Sequence, residues 1–278
     1  DINPLIGEAS FVRAFSYYHL VRTFGDVPYI DFFISDPSSV ISISKTPEDE
    51  IYSNILADLE FAKQWLPDQQ PSDVRSRPTK GTAASYLASV HLTLQDYQSA
   101  YNEAKWVIDN SGLFNYALEP DFQNLFNAEE QDDLTETIFS LDFLGLQNGG
   151  GGANDDIMPP MTGIRGADEL GWSVCVPSMA VYNTWDDRDY RKAVSFVDEA
   201  PVTVDGVTTI VPYTEFKNTK RPHIAKYRRF PGESNAEGRY SDNNYATMRY
   251  AEVLLIAAEA LAVRVDDAVE DRHGAVVE

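Results

Sequence analysis

Two helical patterns joined by a two-residue break constrain the fold of this chain more than any other feature. Residues 80–94 are rich in alanine, and residues 97–109 place apolar side chains at helical spacing; Gln95 and Asp96 separate the two runs. Small side chains allow two neighbouring helices to approach each other closely. Those at the predicted crossing are Ala83, Ala84, Ala88, Ala100 and Ala104. The pattern therefore predicts a closely packed antiparallel helix pair.

Such helix pairs are the repeating unit of tetratricopeptide-like solenoids. Apolar spacing predicts a further helix over 7–24, which Gly25 ends, and another over 46–65 with Thr46 as its N-cap. Residues 245–265 again place apolar side chains on one helical stripe. We therefore predict a mainly α fold built on a tetratricopeptide-like scaffold of helix pairs.

The helical pattern weakens in the middle of the chain. Residues 147–156 read QNGGGGANDD, which predicts an exposed loop, whereas residues 201–212 alternate valine and isoleucine around Asp205 and Gly206. That alternation predicts a β-hairpin with a two-residue turn. The expected organisation is a helical scaffold over 1–112, a loop-rich, ligand-facing insertion over 113–244 that contains the hairpin, and a returning scaffold helix over 245–278.

The charge of the chain excludes several functions. Its 44 acidic and 22 basic residues give a formal net charge of −22. Such a surface repels phosphate backbones and anionic lipid headgroups, so we expect no nucleic-acid binding and no adsorption to membranes. No uncharged stretch of the sequence, that at residues 143–154 included, reaches the roughly 20 apolar residues that a membrane-spanning helix needs.

Motifs for cofactors, metals and nucleophilic catalysis are missing from the sequence. The four histidines never fall three or four positions apart, and the acidic pairs do not match a calcium-binding loop. Neither a phosphate-binding glycine motif nor Gly-x-Ser-x-Gly occurs, and the lone Cys175 excludes an internal disulfide. We expect no cofactor, no metal site and no enzymatic activity. A glycosidase stays open as an alternative, because it needs only two carboxylates about 5 to 9.5 Å apart.

Four stretches of the chain carry a family resemblance. Residues 7–29 contain an Arg-Ala-aromatic run that ends in Phe-Gly-Asp-Val-Pro, and residues 77–114 begin with a Thr-Lys-Gly helix pair. Pro177 precedes an Asp-x-Arg-like run at 187–189, and residues 248–261 read MRYAEVLLIAAEAL. In this order the stretches resemble the signature motifs of the SusD/RagB family, outer-membrane nutrient-binding lipoproteins of Bacteroidetes.

The resemblance implies a fold and a function. The fold is a tetratricopeptide-like scaffold with a loop-rich ligand surface. The function is non-catalytic binding of an oligo- or polysaccharide at the cell surface, followed by delivery to a TonB-dependent (SusC-like) outer-membrane transporter. Family members are usually much longer and carry a lipidated N-terminal cysteine, whereas this sequence begins at Asp1. We therefore expect the chain to represent part of a family member.

Sugar recognition requires an aromatic face beside hydrogen-bonding groups. Trp172 fits this pattern, with Arg165 and Asp168 before it in a region rich in glycine and proline and with Asn154 and Asp155 further upstream. These five residues form the predicted ligand site. The alternative is that Trp172 packs the loop-rich region against the scaffold. The resemblance itself transfers no binding residue to these positions.

One segment runs against the global charge. Its basic residues are Lys217, Lys220, Arg221, Lys226, Arg228 and Arg229. They indicate either a local site for an acidic glycan, such as a uronate or sulfated polymer, or a solvated strand edge. A protein-binding scaffold is a further alternative for the whole chain, and a groove lined by solvent-facing tyrosines would favour it.

Overall fold

The fold was analysed in a computed structural model that describes residues 2–70, 75–143, 158–168, 171–227 and 243–274. The helices are α1 (Asn3–Phe24), α2 (Glu48–Trp65), α3 (Lys80–Thr93), α4 (Tyr97–Asp109), α5 (Ser111–Phe114), α6 (Met158–Thr162), α7 (Met179–Thr184), α8 (Tyr190–Ser195) and α9 (Tyr250–Gly274). The strands are β1 (Thr137–Leu141), β2 (Phe196–Val197), β3 (Glu199–Val204), β4 (Val207–Pro212), β5 (His223–Ile224) and β6 (Tyr245–Arg249). They pair as β1 with β6, β2 with β5, and β3 with β4. The predicted mainly α, tetratricopeptide-like fold is confirmed.

The chain divides into two compact units. The first contains Asp1–Ala117, Thr137–Phe139 and Met248–Glu278, and the second contains Leu118–Glu136 and Ser140–Thr247. None of the helices within the described ranges is long and apolar enough to cross a bilayer.

Helix packing builds the core of the first unit. Contacts join α1 to α2, α2 to α3, α3 to α4 and α4 to α9. The predicted crossing between α3 and α4 is correct, because Ala83, Ala84, Ala88, Ala100 and Ala104 are all completely buried. Around them lie large apolar side chains, including Phe11, Ile55 and Leu87. Burial of each such side chain contributes about 1.5–3 kcal/mol.

Helix α2 begins differently from the prediction. Thr46 does not cap this helix as its sequence position predicts: its backbone N–H donates to the carbonyl of Val27 (2.9 Å) in an isolated β-bridge. The capping acceptor is Asp26, whose Oδ1 accepts from the backbone N–H of Glu48 (3.0 Å). The turn after α1, where Gly25 adopts a φ of +66°, brings Asp26 to this position.

The last helix also begins later than its apolar spacing predicts. Residues 245–249 form strand β6 rather than the first turns of a helix; this strand pairs with β1, and α9 starts at Tyr250. Pairing with a strand more than 100 residues earlier overrides the local helical spacing, which only the residues from 250 onward follow.

The predicted hairpin is present in the second unit. Strands β3 and β4 pair antiparallel from Glu199 with Pro212 to Val204 with Val207. Asp205 and Gly206 form the turn with φ values of +51° and +78°. Two successive left-handed residues are the signature of a type I′ turn, whose twist matches that of the strands.

A small apolar core supports the hairpin. Its buried members are Ile164, Ala167, Ala200 and Phe216, and partly buried side chains from both strands pack against them. The segment that contains Arg165 is therefore held against β3 and β4. The predicted loop at 147–156 lies outside the described residues.

Candidate functional site

Trp172 is presented on a backbone that hydrogen bonds fix in place. Its backbone N–H donates to the carbonyl of Pro160 at 2.6 Å. The N–H groups of Val174 and Cys175 both donate to the carbonyl of Met161 at 2.9 Å. The indole side chain nevertheless remains 41% exposed. A large aromatic surface thus faces solvent from a rigid attachment.

The residues on either side of Trp172 show why the backbone can pass so close to the loop that begins at Gly163. A Cβ at Gly171 would lie 1.9 Å from the carbonyl carbon of Gly163, so no other residue fits there. Ser173 has a φ of +53°, which is uncommon for a residue with a side chain. Its N–H donates to the carbonyl of Gly163 at 2.8 Å.

A polar relay connects this backbone to a buried histidine. The N–H of Arg165 donates to Ser173 Oγ (2.8 Å), and Ser173 Oγ lies 2.8 Å from His223 Nε2. His223 Nδ1 lies 2.9 Å from the carbonyl oxygen of Arg221, which only accepts. The ring therefore carries its proton on Nδ1 and accepts from Ser173 at Nε2. Burial lowers the pKa of His223, which keeps the ring neutral.

Asp168 joins the site to the hairpin. Its Oδ1 accepts from the backbone N–H of Thr203 and its Oδ2 from the hydroxyl of Thr203, both at 2.8 Å. The N–H of Asp168 donates in turn to the carbonyl of Pro201 at 3.2 Å. Both carboxylate oxygens thus hold β3.

Arg165 lines a cleft of about 250 Å³ beside the hairpin. Its walls include the apolar side chains of Ile164, Val202, Val211 and Phe216, and its polar lining includes Glu215 and Lys217. The structure therefore places Arg165 and Trp172 on two segments that Ser173 links, whereas the carboxylate of Asp168 bonds to the hairpin strand β3. The other two predicted site residues, Asn154 and Asp155, lie outside the described residues.

Sequence reasoning missed a second cleft of about 470 Å³ in the same unit. Tyr182, Lys192, Phe196 and Asp198 are among its lining residues. The Tyr182 hydroxyl donates to Asp198 Oδ2 (2.8 Å), and burial together with this bond raises the pKa of Tyr182 to about 12. The ammonium of Lys192 lies 4.6 Å from the Tyr182 ring centre and is paired with Asp187 at 2.5 Å. The dense run of charges at 186–192 is the signal that could have indicated it.

The first unit carries an open groove of about 550 Å³ on its helical surface. Lys63, Lys80 and Trp106 are among the residues that line it. Lys63 is paired with Glu103 (2.6 Å) and lies 4.8 Å from the Trp106 ring centre, and Lys80 is paired with Asp68 at 3.1 Å. No tyrosine is among the described residues that line this groove.

The basic side chains of residues 217–229 do not form one group in the part of the chain that the structure describes. Lys226 lies over two aromatic rings, 5.2 Å from the centre of Phe122 and 5.0 Å from that of Phe126. Lys217 lines the cleft beside Arg165, whereas Arg228 and Arg229 lie outside the described residues. Within the part of the chain that the structure describes, no three His, Cys, Asp or Glu side chains are grouped to hold a metal ion.

Comparison with protein families gives two matches. A family model described as "Starch-binding associating with outer membrane" matches residues 1–92. A second, described as the "SusD family", matches residues 176–273. Together they span more than half of the chain.

Individual relatives agree with these matches. The chain is 52% identical over 269 residues to SusD-like protein P2 of Formosa agariphila, which covers 94% of this chain and 52% of that protein. It is 26% identical to SusD-like protein P25 of the same organism, over 92% of this chain and 51% of that protein. The chain thus spans about half the length of the curated relatives that it matches.

A solved structure shows the same fold. A laminarin-binding SusD-like protein superposes with a TM-score of 0.75 at 22% identity, over 94% of this chain and 61% of the other.

Proposed function

This chain belongs to the SusD family, and on that basis we propose that it binds an oligo- or polysaccharide at the surface formed by Trp172 and Arg165, without cleaving it. The observation that carries the proposal is the 41% exposure of Trp172 on a backbone fixed at Pro160. An exposed indole on a mobile loop would lose backbone entropy when a ligand bound, whereas the backbone of Trp172 is already held by hydrogen bonds.

The chemistry of the site suits a sugar. The apolar C–H face of a pyranose ring packs on an indole face, and the guanidinium of Arg165 can donate to ring hydroxyls. Asp168 contributes by holding Thr203 and thereby the hairpin, and we assign Asn154 and Asp155 to the same binding surface. The name of the similar solved protein records laminarin binding, which supports a carbohydrate ligand here.

The affinity of such an open site should be modest. Dissociation constants in the micromolar to millimolar range correspond to about −8 to −4 kcal/mol. A polymer that presents many equivalent units would show a higher apparent affinity, because the unbound units stay at a high effective concentration near the site.

Affinity gel electrophoresis against a panel of neutral and acidic polysaccharides tests the proposal. Retardation of the wild type is expected, with loss on Trp172→Ala and partial retention on Trp172→Phe, which keeps an aromatic face. Phe33→Ala is the matched control, because Phe33 is an aromatic residue of the first unit that is 89% exposed. Equal retardation of the wild type and Trp172→Ala would contradict the assignment of the site.

The same samples test the absence of catalysis. Reducing ends are assayed after incubation with each retarded polymer, and no release above the polymer-only control is expected. Release of reducing ends by the wild type would instead establish the glycosidase alternative.

We further propose that the protein acts at the cell surface and delivers its ligand to a TonB-dependent, SusC-like transporter. The support is family membership and the matching family description, which names association with the outer membrane. Protease treatment of intact cells that express the complete protein should degrade it. Co-purification from detergent-solubilised outer membranes should recover a transporter of this class; recovery without any transporter would contradict the partnership.

A further inference from the structure

Several lysine and arginine side chains in the described ranges form ion pairs with carboxylates. Arg13, Lys63, Arg77 and Lys105 each form an ion pair with a carboxylate in the first unit. Arg188, Arg191 and Lys192 do the same in the second. In a chain with a net charge of −22, pairing of this kind is expected, because acidic partners outnumber the basic residues.

Arg165 and Lys217 line one cleft and are not paired in this way. Both are exposed, and neither makes an ion pair with any side chain in the described ranges, although Glu215 lines the same cleft. The described lining of this cleft thus contains two cationic side chains and one carboxylate, so positive charge is in excess there although the chain as a whole is strongly negative.

The fold holds these two residues together. A Cβ at Gly166 would lie 3.5 Å from both Cβ and Cδ of Lys217, so the lysine stem packs against the residue that follows Arg165. Ser173 fixes Arg165 through its backbone N–H, which leaves the guanidinium available to a ligand. The Asp168 carboxylate accepts hydrogen bonds from Thr203 and is not among the residues that line the cleft.

The shape of the cleft limits what it can hold. Its volume of about 250 Å³ lies below the roughly 300–1,000 Å³ of pockets for drug-sized ligands, and its walls are largely apolar. A single sugar unit with one anionic substituent suits such a cleft, since its ring can pack on the apolar wall while the anion meets the two cations.

We propose that the cleft between Arg165 and Lys217 binds an anionic sugar unit, through either the carboxylate of a uronic acid or a sulfate ester. The assignment rests on the proposed glycan-binding role and gives it a ligand class. The basic residues Lys220 and Arg221, which follow Lys217 closely in sequence, extend the positive segment. The Glu215 carboxylate opposes binding and so sets a preference for ligands whose charge sits beside Arg165 and Lys217 rather than beside Glu215.

Affinity electrophoresis with chemically distinct polymers tests the assignment. The probes are polygalacturonate, which has carboxylates without sulfate; κ-carrageenan, which has sulfate esters without uronate; and laminarin, which is neutral. We expect the wild type to bind at least one of the two anionic polymers. The double variant Arg165→Gln, Lys217→Gln should weaken that binding by about tenfold or more, as expected for the loss of charge-assisted hydrogen bonds.

Two matched variants sharpen the test. Lys45→Gln removes one positive charge from an exposed lysine of the first unit that has no ion pair among the described residues, and it should change binding by less than about twofold, since Lys45 does not line the cleft. Glu215→Gln should strengthen binding of the anionic polymer about twofold to threefold, because it removes a like charge from the cleft.

The outcomes separate this inference from the proposed function. Binding of laminarin alone would leave the glycan-binding role standing and overturn the anionic ligand. If the double variant bound the anionic polymer as tightly as the wild type, the inference would also be overturned, because the site would lie elsewhere. Binding of none of the three polymers would overturn both. Retardation of the protein by polygalacturonate would identify the carboxylate as the recognised group, and retardation by κ-carrageenan would identify the sulfate ester.

Discussion

Ser173 and His223 belong to the hydrogen-bond network that holds the backbone beside Trp172. Ser173 accepts from Arg165 and donates to His223, so one hydroxyl joins three segments of the chain. A protonated His223 cannot accept at Nε2, and its charge would be buried beside a hydroxyl and a backbone carbonyl rather than a carboxylate. The neutral imidazole is therefore part of the native arrangement.

This arrangement predicts a pH dependence of stability. The pKa of His223 is lowered in the folded protein from an ordinary value of 6.5, so the unfolded chain binds a proton first as pH falls. The contribution of His223 to stability is therefore complete above pH 6.5 and is lost as pH falls from there towards the folded pKa. The slope is at most about 1.4 kcal/mol per pH unit.

Urea unfolding of the wild type and of His223→Gln at pH 7.5, 6.5 and 5.5 measures this effect. The variant corrects for the carboxylates, which titrate in both proteins. Between pH 6.5 and pH 5.5 the free energy of unfolding of the wild type should fall more than that of His223→Gln. Parallel pH profiles would show that His223 does not titrate as its burial predicts.

A second residue-scale prediction concerns the pair between α1 and α2. Arg13 Nε and Nη2 donate to the two carboxylate oxygens of Asp58, both at 2.7 Å, and these bonds raise the pKa of Arg13. Asp58→Ala should lower the free energy of unfolding by about 1–3 kcal/mol, because a two-bond charged contact at a largely buried carboxylate is lost. Urea unfolding followed by far-ultraviolet circular dichroism provides the measurement.

An exposed ion pair of similar chemistry serves as the control for the Arg13–Asp58 pair. Lys105 and Asp109 lie four residues apart on α4, at 2.6 Å, with more than half of each side chain exposed. Asp109→Ala should change stability by no more than about 0.5 kcal/mol. Similar losses for the two alanine variants would mean that burial and geometry do not distinguish the pairs.

At the scale of the element, the close packing of the Phe114 and Tyr116 rings against α3 depends on Gly81, a residue of that helix. A Cβ at Gly81 would lie 2.8 Å from the ring of Phe114 and 2.9 Å from that of Tyr116. Gly81→Ala should therefore destabilise the protein by about 1–3 kcal/mol through overpacking, despite the better helix propensity of alanine. Thermal unfolding by circular dichroism measures the change.

Gly112 in α5 offers the matched substitution. A Cβ at this position would meet no atom of the described residues within 4 Å, so Gly112→Ala should be neutral or stabilising by up to about 1 kcal/mol. The two alanine variants should thus have effects of opposite sign or clearly different size. A Gly81→Ala protein as stable as the wild type would show that the rings of Phe114 and Tyr116 can move away without cost.

The elements that could be predicted from sequence are those encoded by neighbouring residues. The alanine crossing of α3 and α4 and the turn at Asp205 and Gly206 follow from local spacing, and both are confirmed. The predicted start of α2 is wrong because its cap comes from Asp26, which reaches Glu48 only after the chain has turned. Strand β6 escapes prediction because its partner, β1, is remote in sequence.

The same limit applies to the candidate site. Composition around Trp172 indicates a ligand surface, and in the structure the backbone N–H of Arg165 donates to the hydroxyl of Ser173, the residue that follows Trp172. The bonds of Asp168 to Thr203 and of Ser173 to His223 span 35 and 50 residues, and no local pattern encodes them. The assignment of Trp172, Arg165, Asp168, Asn154 and Asp155 to one ligand surface stays a prediction.

At the scale of the whole molecule, the net charge of −22 is the dominant property. Like charges on a compact surface repel each other, and unfolding increases the distance between them. The Debye length falls from about 30 Å at 0.01 M salt to about 8 Å at 0.15 M, so added salt screens this repulsion. The folded protein should therefore gain stability with ionic strength in this range.

The last prediction is a rise in melting temperature of several degrees between 0.01 M and 0.15 M NaCl at pH 7.5, since about 1 kcal/mol corresponds to roughly 2–4 °C for a chain of this size. KCl should give the same rise, because screening depends on ionic strength and not on the identity of the cation. CaCl₂ at equal ionic strength serves as the test for specific binding: a clearly larger rise would show that calcium neutralises particular carboxylates. A melting temperature that falls or stays constant with NaCl would show that the ion pairs, which salt weakens, outweigh the repulsion that it relieves.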